Sequence, residues 1–171
     1  MNTRLIAESS ILTSLSLVIL LMASLSPVNK IFIASASALV LEISIKRNHL
    51  KPSLFVFFPT VILSFFLLPY KMFAILYLTI FGGYSIIRNC ITIKNKALKK
   101  TIMIIYFDVV FWVLFFLANQ LFENVFEKLI NGPFWQNLLL FFVLQLAVLL
   151  YDYALDIGSK LLINKLKDLG I

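Results

Sequence analysis

Long apolar runs, separated by short connections that carry charges or prolines, dominate the chain. A membrane-crossing helix needs about 20 mostly apolar residues. Runs of this kind predict helices near 4–26, 29–46, 53–69, 72–93, 101–122 and 134–158. The pattern therefore predicts an all-α integral membrane protein: one transmembrane domain over residues 1–171, built as a bundle of six transmembrane helices.

Composition supports the membrane interpretation. Of the 171 residues, 61% are hydrophobic and 13% are charged, whereas soluble domains average about 45–50% and 25%. The single cysteine, Cys90, cannot form an internal disulfide, and no Cys/His cluster has metal-ligand spacing. We expect neither a metal nor another cofactor.

The chain carries none of the short catalytic motifs that would indicate an enzyme. It has no HExxH, GxSxG or phosphate-binding loop. A membrane enzyme acting on lipids remains a minor alternative because of Asp152 and Asp156. We expect a protein that is not an enzyme.

Basic residues are distributed unevenly among the connections. The N-terminus, the connections near 46–51 and 88–100, and the C-terminal tail hold all of them except Lys30, Lys71 and Lys128. Cytoplasmic connections of membrane proteins are enriched in Lys and Arg, so both termini are predicted to be cytoplasmic. This topology, with membrane lipids as partners, accounts for the net charge of +7. A nucleic-acid partner is not expected, since no basic patch with interleaved aromatic residues lies outside the membrane belt.

Small side chains line parts of the first two predicted helices. In lipid, helices associate through close packing of small residues. The stripes indicate either packing within the protein or a docking surface for another membrane subunit. The candidate docking residues are Ser9, Ser10, Thr13, Ser14, Ala34 and Ala38. In the fourth predicted helix, Gly82 and Gly83 would likewise let another helix or a ligand approach closely.

Ionisable residues within the predicted helices lie toward the cytoplasmic half. Arg88 and Asp108 have similar depth on successive antiparallel helices. A charge left alone out of water is costly, so these two are predicted to form a structural ion pair. The acidic residues of this half are expected to form a structural network or a cytoplasmic-side contact with a partner.

The outer half combines a few polar groups with aromatic residues. Such a combination suits a small-molecule pocket that opens to the outside. Anchoring at the lipid headgroups is the alternative for many of these residues. The candidate substrate-binding residues, chosen by position, are Lys30, Lys71, Tyr77, Asn119, Gln120, Glu123 and Trp135.

Two segments and the overall plan resemble a known family. The first helix, MNTRLIAESSILTSLSLVILLMASLSP, and the later LLPYKMFAILYLTIFGGYSIIR, within six spans with both ends inside, resemble the S components of energy-coupling factor vitamin transporters. The resemblance implies a subunit of the bacterial cytoplasmic membrane that captures a vitamin or related micronutrient from outside. It also implies docking through the first helices onto a transmembrane coupling subunit that carries ATPase subunits.

A protein of a different class is also compatible with this plan. FGGYSIIRN is loosely similar to helical segments of MreD, a small six-span scaffold of the cell-shape machinery. That resemblance implies a non-enzymatic protein that binds other proteins and no metabolite.

Overall fold

The computed structural model describes residues 3–91, 96–121 and 134–168, and in these ranges the chain is helical and contains no strand. The described helices follow the predicted apolar runs, except that the fifth run begins five residues earlier, at Lys96, and the last continues ten residues further, to Asp168. They are α1 (Thr3–Leu25), α2 (Lys30–Asn48), α3 (Leu50–Leu67), α4 (Lys71–Leu76), α5 (Gly82–Cys90), α6 (Lys96–Leu121) and α7 (Phe134–Asp168). Between α4 and α5 the backbone forms a π-helical turn, Tyr77–Phe81, so that Lys71–Cys90 is one long helix.

Among the residues whose side chains the structure describes, three helices, against the six expected, are long and apolar enough to cross a membrane. They are Leu5–Leu25, Leu50–Leu67 and Lys71–Cys90. The second predicted span departs from this pattern because α2 carries Glu42, Lys46 and Arg47 close to its C-terminal end.

The connections of the first four predicted spans are short and defined by local backbone chemistry. Asn29 adopts a left-handed conformation (φ 57°) directly before α2, and His49 has φ 67° between α2 and α3. Asparagine tolerates the left-handed region better than most residues. Pro59 lies inside α3, where it removes one backbone hydrogen bond.

The described chain divides into two compact units. The first comprises residues 1–92 and 155–171, and the second comprises residues 93–154. In the first unit α1 packs on α2 and α3, and α2 also contacts the π turn and α5. In the second unit Gln145 Nε2 of α7 donates a hydrogen bond to Asp108 Oδ1 of α6 at 2.7 Å.

The first unit places hydroxyl groups inside and apolar side chains outside. Phe32 and Phe66 are each 79% exposed, whereas Ser37, Thr60 and Ser85 are fully buried. An apolar exterior costs nothing where the surroundings are lipid, and helices pack closely there through small or hydroxyl side chains. The distribution suits a helix bundle surrounded by hydrocarbon.

Candidate functional site

A buried carboxylate organises the charged end of the first unit. Glu42 of α2 is 1% exposed. Arg88 Nη1 donates to Glu42 Oε1 at 3.2 Å, and Asn89 Nδ2 donates to Oε2 at 3.0 Å. Lys46, one helical turn along α2, lies 3.9 Å from Oε1. Both carboxylate oxygens therefore have donors, which offsets the cost of removing the charge from water.

The C-terminal part of α7 extends this cluster. Asp156 Oδ1 lies 3.4 Å from Lys46 Nζ and 3.7 Å from Arg88 Nη2. Its other oxygen accepts a hydrogen bond from Lys160 at 2.6 Å. Lys46 also donates to Ser159 Oγ at 2.5 Å. We call Glu42, Lys46, Arg88, Asn89 and Asp156 the charge cluster.

The charge cluster joins three helices of the first unit by ionic contacts. Two carboxylates face two cations within the cluster, and Lys160 adds a third cation beside Asp156. A further pair, Arg47 to Glu8 at 3.6 Å, connects α2 to α1 at the same end. An ionic network of this kind holds helices together and fixes their orientation.

The ion pair expected between Arg88 and Asp108 joins residues of two units that are described separately, and it stays a prediction. Within its own unit, Arg88 pairs with Glu42 and Asp156. Within the other, Asp108 accepts the hydrogen bond from Gln145.

Three hydroxyl groups from three helical segments converge in the middle of the first unit. Tyr77, on the π turn, is fully buried, and its polar neighbours are the hydroxyls of Ser16 on α1 and Thr60 on α3. Thr60 Oγ1 donates to Val56 O at 2.7 Å. Among the residues that the structure describes, neither Tyr77 Oη nor Ser16 Oγ has a partner in hydrogen-bonding geometry. We call Ser16, Thr60 and Tyr77 the hydroxyl centre.

Aromatic packing holds the Tyr77 ring in place. Phe57 of α3 stacks on it, with ring centroids 5.9 Å apart and planes inclined by 28°. A Cβ atom added at Gly82 would lie 2.8 Å from Phe57 Cε2 and 3.0 Å from Tyr77 Cε1. The close approach expected at this glycine is confirmed, since only the absence of a side chain leaves room for both rings.

Two other candidate substrate residues lie at the end opposite the charge cluster. Lys30, the first residue of α2, places its ammonium 5.2 Å from the centre of the Tyr70 ring. Lys71, the first residue of α4, donates to Phe65 O at 2.5 Å and lies 3.5 Å from Phe66 O. Lys71 thus satisfies carbonyls at the C-terminal end of α3, which otherwise lack partners. Tyr77 lies about 9 Å further along the helix axis from Lys71.

The structure describes no side chain for the remaining substrate candidates. Asn119 and Gln120 lie on α6 and Trp135 lies near the start of α7, but their side chains are outside the described part of the structure. Glu123 lies outside the described residues. Their assignment to a pocket stays a prediction.

The candidate docking residues divide into two groups. Ser9, Thr13, Ala34 and Ala38 are buried in the first unit. Ser10 and Ser14 lie on the exposed face of α1, where their hydroxyls donate to Ile6 O and Ser10 O, each at 2.9 Å. The first group packs within the protein, and the second is accessible to another membrane helix.

Sequence reasoning missed Glu42 as the partner of Arg88. The spacing of Glu42 and Lys46, one helical turn apart, is the signal that an ionic network begins on α2. No sequence signal reveals the π turn that presents Tyr77. Comparisons of the chain with protein-family models, with curated proteins and with solved structures find no match, so the function is argued from the geometry of the first unit.

Proposed function

We propose that the protein is the substrate-capture subunit of an ATP-driven micronutrient transporter in the bacterial cytoplasmic membrane. It is a membrane protein of several spans with both termini in the cytoplasm. It binds a vitamin-like small molecule from the outer face and docks on a transmembrane coupling subunit with ATPase subunits. Energy comes from ATP hydrolysed by those partners.

The two-sided character of α1 carries this proposal. One face buries Ser9 and Thr13 against the bundle, while Ser10 and Ser14 lie on the exposed face. Because the exposed hydroxyls are bonded to the helix's own carbonyls, this face is small and nearly apolar. A membrane-crossing helix with such a face allows close approach of a second helix.

The distribution of polar groups supports an outer-side substrate route. Lys30 and Lys71 stand at the end of the first unit that the basic connections predict to be outside, and Tyr77 lies deeper in the same unit. Charged groups at the entrance and hydroxyl groups inside match the pattern of small-molecule sites, which are mostly apolar with a few placed polar groups.

Co-purification after mild detergent extraction tests the docking. The wild-type protein is expected to isolate with ATPase subunits identified by mass spectrometry. Replacing Ser10 and Ser14 together by leucine adds bulk to the small face, so we expect at least a tenfold loss of those subunits. The matched control replaces Ile11 and Leu15 by phenylalanine, which adds bulk to a neighbouring exposed strip of α1, and retains them.

The result that contradicts the proposal is isolation without any ATPase subunit. Recovery of cell-wall synthases instead supports the alternative, a non-enzymatic membrane scaffold of the MreD type. One observation favours that alternative: the ammonium groups of Lys30 and Lys71 already have partners within the protein, an aromatic ring and two backbone carbonyls.

A further inference from the structure

The hydroxyl centre differs from the other hydroxyls on the same helices. Thr13 Oγ1 donates to Ser9 O at 2.8 Å, and Ser24 Oγ donates to Leu21 O at 2.8 Å. On the fourth span, Thr79 Oγ1 donates to Ile75 O at 2.8 Å. Each of these groups is satisfied by its own helix, as is common for Ser and Thr in apolar surroundings. Ser16 and Tyr77 depart from this rule while being fully buried.

Leaving these two hydroxyls without partners would be costly. A buried polar group that makes no hydrogen bond loses its bonds to water without any replacement. Two such groups beside each other, with a third oxygen at Thr60, would therefore be a large penalty for a bundle of this size. The cost disappears if one additional group bonds to all three oxygens.

The hydrogen-bond inventory of the three residues defines the chemistry of that group. The Thr60 hydrogen is directed to Val56 O, so its oxygen can only accept. Tyr77 and Ser16 can each donate. A group that bonds to all three oxygens therefore donates to Thr60 and accepts from the other two, which is the capability of a hydroxyl or a water molecule. It must also be uncharged, because the three hydroxyls offer no countercharge.

We propose that Ser16, Thr60 and Tyr77 form a binding site for one uncharged hydroxyl group that both donates and accepts hydrogen bonds. The group belongs either to a buried water molecule or to a hydroxyl-bearing small molecule. In the second case the inference rests on the proposed function and assigns the substrate to uncharged hydroxyl compounds. The π turn presents Tyr77 to this site, as π turns frequently do at functional sites.

Substitutions that remove a single hydroxyl test this site. Ser16→Ala, Thr60→Val and Tyr77→Phe each remove one hydroxyl with little change in shape. Ser24→Ala and Tyr70→Phe are matched controls: Ser24 is buried but bonded to its own helix, and Tyr70 is exposed. The full-length protein is purified in nanodiscs, and the unfolding midpoint is measured for the single variants and for the three pairwise combinations.

A shared group makes the three substitutions interdependent. We expect Ser16→Ala and Tyr77→Phe each to lower the midpoint by about 2–4 °C, which corresponds to roughly 1 kcal/mol in a chain of this length. Each double variant should lose clearly less than the sum of its single losses, because the first substitution already weakens the common group. Tyr70→Phe should leave the midpoint unchanged, and Ser24→Ala should be additive with Tyr77→Phe.

Two results would overturn the site. If Ser16→Ala and Tyr77→Phe leave stability unchanged or raise it, the hydroxyls bind nothing. If Ser16→Ala and Thr60→Val are additive with each other, the hydroxyls bond at most directly to Tyr77 and hold no additional group. Variants that fail to fold are replaced by Tyr77→4-fluorophenylalanine and Ser16→Cys, which remove the oxygens but retain bulk, and the same criteria apply.

Native mass spectrometry of the wild-type protein distinguishes the two sources. An uncharged organic molecule that is present in the wild type and in Tyr70→Phe, but absent from Tyr77→Phe, assigns the hydroxyl to a small molecule. Coupling among the three residues with no organic mass assigns it to water. Failure of ATPase co-purification removes the transporter proposal but leaves the coupling result intact, so the two failures are separable.

Discussion

The charge cluster and the hydroxyl centre treat buried polar groups in opposite ways. At the charge cluster, both oxygens of the buried Glu42 have donors from Arg88 and Asn89. At the hydroxyl centre, Tyr77 Oη and Ser16 Oγ lack a partner within the described protein. Both regions belong to the first unit, in which α2 contacts the helix Lys71–Cys90.

The difference indicates different tasks. A fully bonded ionic network stabilises one arrangement of helices. Removing one member leaves a remaining member with an unpaired charge. Hydroxyls without partners have capacity for a group that is not part of the chain. We therefore interpret the charge cluster as the structural anchor of the bundle and the hydroxyl centre as its binding element.

The largest expected effect is at the charge cluster. Glu42→Ala leaves the Arg88 guanidinium, whose side chain is 14% exposed, with one fewer counterion. We expect a loss of about 3–5 kcal/mol in the free energy of unfolding, as is found when one partner of a buried ion pair is removed. Denaturant unfolding measures it, with Glu42→Gln as the control that keeps an acceptor oxygen and loses clearly less.

Double-mutant cycles show which acidic residue pairs with Arg88. Combining Glu42→Ala with Arg88→Ala should cost less than the two single losses together, since the residues share one interaction. Combining Asp108→Ala with Arg88→Ala tests the ion pair expected from the sequence. Simple additivity of Glu42 with Arg88 would contradict the role given to the charge cluster.

Gly82→Ala is expected to have an intermediate effect, and it acts on the hydroxyl centre. The added Cβ would meet Phe57 Cε2 at 2.8 Å and would push the stacked rings apart. Overpacking of this kind costs about 1–3 kcal/mol. Phe57→Leu in the Gly82→Ala background removes the obstructing ring and should restore part of the loss. If Gly82→Ala is as stable as the wild type, the aromatic packing around Tyr77 is looser than described.

The smallest effect is expected at Lys160, which borders the charge cluster through Asp156. Lys160 bonds Asp156 at 2.6 Å, but its side chain is 67% exposed. Exposed ion pairs separated by four residues on a helix contribute about 0.3–0.5 kcal/mol. Lys160→Ala should therefore change stability by no more than that, and the change should vanish at high salt. A loss of stability in Lys160→Ala as large as that in Glu42→Ala would show that the exposure of a side chain does not determine how much its ion pair contributes.

Much of the helical fold was predictable because apolar runs and their charged boundaries are local features. The bounds of α1, α3 and Lys71–Cys90 agree with the predicted spans within a few residues. The anchoring of Arg88 at the basic end was also predictable from its depth. Its partner was not, because depth alone places several acidic residues at a similar level, and the choice among them depends on which helix faces which.

The hydroxyl centre was predictable only in part. Tyr77 was expected to bind substrate from its position. Its convergence with Ser16 depends on the π turn and on the space left by Gly82. A π turn differs from an α-helix by a single extra residue in one turn, and residue type specifies that difference weakly. Tertiary packing decides it.

The hydrogen-bonding state of the Tyr77 hydroxyl tests the central claim most directly. Solid-state NMR of nanodisc-embedded protein with ring-labelled tyrosine reports it through the chemical shift of the ring carbon that carries the hydroxyl, with Tyr77→Phe assigning the signal. The account predicts a hydrogen-bonded phenol in the wild type whose signal moves when Thr60→Val removes a member of the hydroxyl centre. A signal of a free phenol in the wild type, unchanged in Thr60→Val, would contradict it.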